Sequence, residues 1–128
     1  MGEEASFTKT ITESDVHLFA AVSGDFNPLH MNEEYAKQTP FKTRIAHGVL
    51  CLSLIGPVLG TKLPGLGTVA VEITCRWKAP TFFGDTITAK ATVVQKIEDK
   101  KWVRLALIWT NQRGETVAEG ETAAIPPS

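Results

Sequence analysis

The sequence has few cysteines, no long apolar run and almost no net charge, and each shortage excludes a class of protein. Its two cysteines, Cys51 and Cys75, lie in apolar stretches without the CxxC or His/Cys spacing of a metal site. We therefore expect buried core thiols rather than a disulfide, and no metal or other cofactor. No apolar run approaches the roughly 20 residues that a membrane helix needs, so no membrane is expected as a partner.

Charge is balanced and spread along the chain. The formal net charge is -1 at pH 7, with basic residues scattered from Lys9 to Arg113. A nucleic-acid surface needs a concentrated basic face, so nucleic acid is not an expected partner. Residues 1–4 (MGEE) are acidic where a signal peptide is basic, which favours a cytoplasmic protein. Because no linker-like stretch interrupts the sequence, we expect one domain over residues 1–128.

The most informative stretch places an acid, an amide and an imidazole close together. Asp25, Asn27 and His30 lie within residues 24–30 (GDFNPLH), which we expect to be non-helical. Pro28 fixes its own φ and pushes Asn27 toward extended geometry, so the segment is stiff. Histidine donates or accepts a proton near neutral pH. The combination is typical of a site that handles a proton.

A structural interpretation of the same residues stays open. Asn27 followed by Pro28 is also how a short helix begins, with Asn27 as its N-cap. Asp25 could close an Asx turn after Gly24. For Asn27 the two interpretations are compatible, because a capping amide can also orient a neighbouring side chain such as Asp25 or His30.

Three stretches of the chain together resemble one known family. Residues 22–30 (VSGDFNPLH), with Ala36 after a further five residues, are similar to the signature of the MaoC-like, R-specific enoyl-CoA hydratases, also called hydratase 2. Residues 45–50 (IAHGVL) and 80–85 (PTFFGD) resemble the next two landmarks of that family. The resemblance implies a hot-dog fold, a thioester of CoA or of acyl carrier protein as substrate, and a homodimer formed by edge pairing.

Helical patterns occupy the first half of the chain. Thr12, with Asp15 three residues on, is a helix-start pattern, and apolar residues recur at helical spacing until Gly24. Asn32 begins a second, short helix that ends by Pro40. These patterns place residues 24–30 directly after a helix end.

A longer apolar segment, residues 45–59, is apolar or small at nearly every position. A helix that is hydrophobic all round must be buried. We expect this helix to end or kink near Ile55, because Pro57 removes one of its hydrogen bonds.

The second half of the chain alternates apolar and polar residues, as half-buried antiparallel strands do. Turn-like connections separate these strands, and Phe7 to Ile11 supplies an additional early one. A meander of one-sided strands after one buried helix predicts an α+β fold, with the antiparallel sheet curled around the helix. The hot-dog fold implied by the resemblance has this arrangement. The four strands are predicted at residues 69–77, 87–93, 103–109 and 117–125.

Hydration of an enoyl thioester needs a base for water, an acid for C2 and a donor for negative charge on the thioester oxygen. By resemblance to the family, Asp25 and His30 are the catalytic pair. The Gly48 N–H is the expected oxyanion donor, because N–H groups near a helix start lack intrahelical partners. The family places a serine at Ser53 beside the catalytic acid. A hydrogen bond from its hydroxyl to the Val49 carbonyl is the alternative.

Other residues of the landmarks are candidates for supporting roles. His47 recurs in the family before the glycine, and we favour a structural hydrogen bond for it over contact with the substrate. Phe41, Phe82 and Phe83 are expected in the core or in the wall of an acyl pocket.

The leading hypothesis is R-specific hydration of trans-2-enoyl-CoA to the (R)-3-hydroxyacyl thioester, reversible as dehydration, by a hydro-lyase. Fold alone does not fix function, so other hypotheses stay open. They are an acyl thioesterase, an (R)-3-hydroxyacyl-carrier-protein dehydratase subunit, and a non-catalytic acyl-thioester-binding module.

Overall fold

An antiparallel sheet of five strands and five short helices make up the computed structural model, which describes residues 1–127. The sheet order is β1-β3-β4-β5-β2, so β1 and β2 are its edges. The predicted α+β class, the early strand and the four later strands are confirmed. The elements are β1 (Glu4–Thr10), α1 (Glu13–Ser23), α2 (Pro28–Met31), α3 (Glu33–Ala36), α4 (Gly48–Leu52), α5 (Ile55–Thr61), β2 (Val69–Trp77), β3 (Thr86–Ile97), β4 (Trp102–Thr110) and β5 (Thr116–Ile125).

Both ends of α1 are fixed by its own sequence. The Thr12 hydroxyl accepts from the Asp15 N–H while the Asp15 carboxylate accepts from the Thr12 N–H, a complete capping box. At the other end Gly24 takes a left-handed conformation, with φ of 81°, which glycine adopts without steric cost. The chain therefore leaves α1 in a fixed direction and enters the segment that contains Asp25.

The central apolar segment forms two helices, α4 and α5, and its predicted break near Ile55 is confirmed. The prediction that this segment is buried on all sides was wrong. Cys51 and Val58 are buried, but Val49 is 54% exposed and Ser53 is exposed. The reason is that α4 has only one face against the core, and an apolar side chain on its other face has no cover within one chain.

The same correction applies to β2. Its alternating apolar residues predict a half-buried face, yet Val69, Ile73 and Trp77 are 57%, 40% and 50% exposed, and Cys75 is only half-buried. β2 is an edge strand that pairs with β5 alone. Helix α5 packs instead against β1 and β3, so it leaves the face of β2 uncovered.

The buried core joins the two central helices to the sheet. Cys51 belongs to this core, and burial raises the pKa of its thiol; burial also raises that of Cys75, so neither is poised as a nucleophile. Both cysteines are free. Among residues 1–127, no helix is long and apolar enough to cross a bilayer. The largest wholly buried apolar side chains are Ile11, Val16, Val58, Ile87, Leu105, Trp109 and Val117.

Asp85, the last residue of the 80–85 landmark, joins two turns of the sheet. Its carboxylate accepts from the Phe82 N–H at 2.9 Å, from Gln112 at 2.9 Å and from Arg113 at 3.2 Å. Burial acts to raise the pKa of this carboxyl. The hydrogen bonds from Gln112, Phe82 and Arg113 outweigh burial, so the pKa lies below its ordinary value.

We predict that Asp85→Asn destabilises the fold by about 2 kcal/mol at pH 7, the scale of hydrogen bonds to a buried charged group. Because the folded-state pKa is depressed, Asp85 stabilises the protein above its unfolded pKa of about 4, and this contribution is lost as pH falls through the folded value. Urea unfolding at several pH values checks both effects. The control Glu98→Gln, in the exposed β3–β4 turn, should change neither, and an Asp85→Asn protein with the wild-type acid profile would contradict this role.

Candidate active site

The segment after α1 combines a turn with a short helix. The Asp25 carboxylate accepts from the Asn27 N–H at 3.2 Å, which closes an Asx turn. The Asn27 side chain caps α2 by accepting from the Leu29 N–H at 3.0 Å, with Pro28 at the first helical position. Both features of the structural interpretation, the Asx turn at Asp25 and the N-cap at Asn27, are therefore present. The expectation of a non-helical segment was wrong for residues 28–30, because Pro28, Leu29 and His30 lie within α2.

His30 is held by one hydrogen bond from its ring. The side chain is 8% exposed, and Nδ1 lies 2.7 Å from the carbonyl oxygen of Ile45. A carbonyl only accepts, so Nδ1 carries the hydrogen and donates. In the neutral ring this leaves Nε2 as an acceptor, free to take a proton.

His47 connects the Asp25 segment to the start of α4. Its ring is 2% exposed, and Nε2 donates to the main-chain carbonyl of Asp25 over 2.9 Å. The ring also lies against that of His30, with centroids 4.0 Å apart. Nδ1 of His47 is buried and has no hydrogen-bond partner among the described residues. Buried polar atoms of this kind are uncommon, and they cost about 1–3 kcal/mol each.

Asp25, His30 and His47 form one cluster of polar side chains. One carboxylate oxygen and one nitrogen of each ring lie within 4.8 Å of one another. Asp25 is exposed and the two rings are buried. An ionised carboxylate and an imidazole lone pair can both accept hydrogen bonds from a single water molecule. The same donor types could hold a transition-metal ion, although one nitrogen of each ring is already used on a carbonyl.

An apolar cavity of about 480 Å³ opens beside this cluster. Both His30 and Gly48 line it, and Gly48 is the first residue of α4, where the N–H has no intrahelical acceptor. Its size falls within the range of small-molecule sites. A cleft of about 530 Å³ elsewhere is lined by residues of β2 to β5 and contains neither His30 nor Gly48. The remaining walls of the 480 Å³ cavity are Phe41, Ile45, Ala46, Val49, Trp77, Lys78, Ala79, Pro80 and Thr81.

Sequence reasoning missed Trp77 as a wall of this cavity. A Cβ added to Gly48 would lie 2.6 Å from Nε1 of Trp77, so any larger residue at this position would displace the indole. The available signal was a tryptophan at the end of a strand, three residues before the 80–85 landmark. The alternating pattern predicted that Trp77 lies on a buried face with the other apolar residues of β2, so its position at the cavity was not expected.

Three predicted site residues lie elsewhere. Ser53 is exposed in a separate cleft beside α1, and its hydroxyl donates to the Leu50 carbonyl rather than to that of Val49. Phe41 lines the cavity, whereas Phe82 and Phe83 are outside its lining. The ring of Phe83 packs under the Arg44 guanidinium at 4.7 Å and against the core, and Phe82 forms a bridge to Ile45. Of the two positions expected for them, core or pocket wall, neither phenylalanine takes the pocket wall, and Phe83 packs against the core.

Comparisons with known proteins agree with this architecture. The model of the MaoC-like domain family matches residues 1–108. The chain is 48% identical over 127 residues to the (R)-specific enoyl-CoA hydratase of Rhodospirillum rubrum, covering 99% of this chain and 88% of that protein. The unliganded R-hydratase of Pseudomonas aeruginosa superposes with a TM-score of 0.94 at 42% identity, covering 100% and 82% of the two chains.

A second solved structure, the (R)-hydratase of Aeromonas caviae involved in PHA biosynthesis, gives a TM-score of 0.95 at 36% identity. The superposition covers 98% of this chain and 96% of that one. The fold is therefore the hot-dog fold, as predicted. The chain belongs to the MaoC-like domain family.

The ring hydrogen bonds predict opposite tautomers for the two buried histidines. His30 should carry its hydrogen on Nδ1, because it donates to Ile45, and His47 on Nε2, because it donates to Asp25. Long-range ¹⁵N–¹H spectra distinguish the tautomers, and His17→Gln and His47→Gln variants assign the signals of the three histidines. A His30 ring with its hydrogen on Nε2 would contradict the assignment of Nε2 as proton acceptor.

Proposed function

We propose that this protein catalyses the R-specific hydration of trans-2-enoyl-CoA thioesters to (R)-3-hydroxyacyl-CoA, and the reverse dehydration. One observation carries the proposal: His30 belongs both to the cluster with Asp25 and to the lining of the cavity that contains Gly48. A proton acceptor and an oxyanion donor thus face one apolar space. The relatives described above are hydratases by name, which supports the same reaction here.

Water is activated between Asp25 and His30. The ionised Asp25 carboxylate and Nε2 of His30 each accept one hydrogen of the same water molecule, whose oxygen attacks C3 of the substrate. One of the two groups removes a proton as the C3–O bond forms, and the cluster delivers a proton to C2. The enzyme returns to its starting protonation state, and one water has been added. Positioned proton transfer of this kind contributes about 100- to 10,000-fold in rate.

Negative charge on the thioester oxygen is stabilised by the Gly48 N–H. The apolar walls of the cavity strengthen this hydrogen bond by excluding water. A donor of this type contributes about 3 kcal/mol in other enzymes. The same glycine is required by Trp77, so its substitution would disturb both the donor and the cavity wall.

The proposal predicts that purified protein consumes the conjugated absorbance of crotonyl-CoA and yields the (R)-alcohol. Asp25→Asn and His30→Gln should each lower kcat at least 100-fold, because each removes a proton acceptor of the water. The thermal midpoint of Asp25→Asn should be unchanged, since its carboxylate is exposed. His17→Gln, an exposed histidine on α1, is the matched control and should keep full activity.

The same assays separate the other hypotheses. Release of free thiol without formation of the alcohol would identify a thioesterase. Turnover of a carrier-protein thioester alone would identify a carrier-protein dehydratase. Saturable acyl-CoA binding with no turnover of either thioester would identify a binding module, and each of these outcomes would overturn the CoA hydratase proposal.

We also propose that the chain, residues 1–128, acts as one domain in the cytoplasm and forms a homodimer through β2. This edge strand leaves its backbone groups on one side unpaired and its apolar face exposed, including Val69 and Ile73. Exposed edges of this kind are ordinarily paired or protected. Antiparallel pairing of β2 with β2 of a second copy satisfies its backbone and gives a closed two-fold dimer.

The dimer proposal predicts a solution mass of twice the 13.9 kDa chain by light scattering. Ile73→Glu should convert the protein to monomers, because it places two like charges at the β2–β2 contact. Val94→Glu is the matched control on β3, since Val94 is 41% exposed and Ile73 is 40% exposed. A wild-type protein that remains monomeric at micromolar concentration would contradict the proposal.

A further inference from the structure

Trp77 is the largest side chain in the lining of the 480 Å³ cavity. It is the last residue of β2 and is 50% exposed. Several other walls of the cavity are small, with Ala46, Gly48 and Ala79 among them. The volume available beside Gly48 therefore depends on this one indole more than on any neighbouring side chain.

The pyrrole edge of the indole lies directly over Gly48. From the position of a Cβ on Gly48, the distances are 2.6 Å to Nε1, 2.7 Å to Cε2 and 3.2 Å to Cδ1 of Trp77. A Cβ lies about 2.5 Å from the nitrogen of its own residue, which puts Nε1 within about 5 Å of the Gly48 nitrogen. An oxygen bound to that N–H, at about 2.9 Å, would therefore lie within about 8 Å of Nε1.

The backbone at Trp77 is fixed independently of its side chain. Trp77 pairs with Ala118 of β5, and the next N–H, that of Lys78, donates to the Val117 carbonyl at 2.8 Å. The indole itself is half exposed and is absent from the buried core cluster. A smaller side chain can therefore replace it without removing core packing.

We propose that Trp77 sets the size of the acyl group that the site accepts, with the indole restricting the cavity beside Gly48 to short chains. The proposal rests on the hydration function proposed above. Replacing the indole with a smaller side chain extends the apolar space and admits longer trans-2-enoyl chains. One methylene in a hydrophobic pocket changes discrimination by about 10- to 200-fold, so the effect is measurable.

The test compares kcat/KM for trans-2-enoyl-CoA substrates of four, six and eight carbons in wild type, Trp77→Ala and Trp77→Phe. Trp77→Ala should raise the eight-carbon to four-carbon ratio at least ten-fold, and Trp77→Phe should raise it less. The matched control is Trp102→Ala, since Trp102 is a partly exposed tryptophan at the start of β4, outside the cavity. It should leave the ratio unchanged.

An unchanged ratio in a folded Trp77→Ala protein, with wild type active, overturns the inference and leaves the hydratase proposal intact. Equal loss of kcat on all three substrates in Trp77→Phe and Trp77→Ala also overturns it, because that pattern assigns the indole N–H as a hydrogen-bond donor. If the alanine variant fails to fold, Trp77→Leu gives the same comparison. Wild-type inactivity on every enoyl thioester would instead refute the hydratase proposal, on which the inference rests.

Discussion

Two hydrogen bonds from imidazole rings to main-chain carbonyls hold the candidate site together. His47 donates to Asp25 at 2.9 Å and thereby ties the segment after α1 to the start of α4. His30 donates to Ile45 at 2.7 Å, which attaches α2 to the chain just before α4. Each bond contributes only about 1 kcal/mol of stability. Their larger consequence is geometric, because they join the segment that carries Asp25 and His30 to the chain next to Gly48. A main-chain bond from the Ile45 N–H to the Leu29 carbonyl at 3.3 Å supports the same junction.

The site is built asymmetrically, with its rings buried and its carboxylate exposed. His30 and His47 are packed against one another, so their orientations are fixed before any substrate arrives. The backbone at Asp25 is held by the Asx turn and by the hydrogen bond from His47 to the Asp25 carbonyl, while the carboxylate faces solvent. Uncovered apolar side chains lie near it along the chain, among them Val22 and Phe26, which are 86% and 58% exposed. A second copy or a bound thioester that covered them would also exclude water from the carboxylate, and such exclusion strengthens electrostatic interactions.

Local chemistry in the sequence predicted the elements well. The capping box at Thr12, the Asn32 cap of α3 and the break caused by Pro57 depend only on neighbouring residues, and all three are present. Burial was predicted poorly for α4 and β2, because an apolar stripe has the same pattern whether it faces the core or remains uncovered. Contacts between distant residues were also missed. The bond from His47 to Asp25 spans 22 positions, and the packing of Trp77 on Gly48 joins a strand end to a helix start, so no local pattern reports either.

In the proposed mechanism, the cluster of Asp25 and His30 directs water to C3 and a proton to C2 from the same side of the substrate. Hydration of crotonyl-CoA in D₂O tests it most directly, with the relative configuration at C2 and C3 of the product determined from proton NMR coupling constants. We expect a single diastereomer in which the hydroxyl group and the deuteron have added to one face. Addition to opposite faces, or a mixture of both diastereomers, would contradict it.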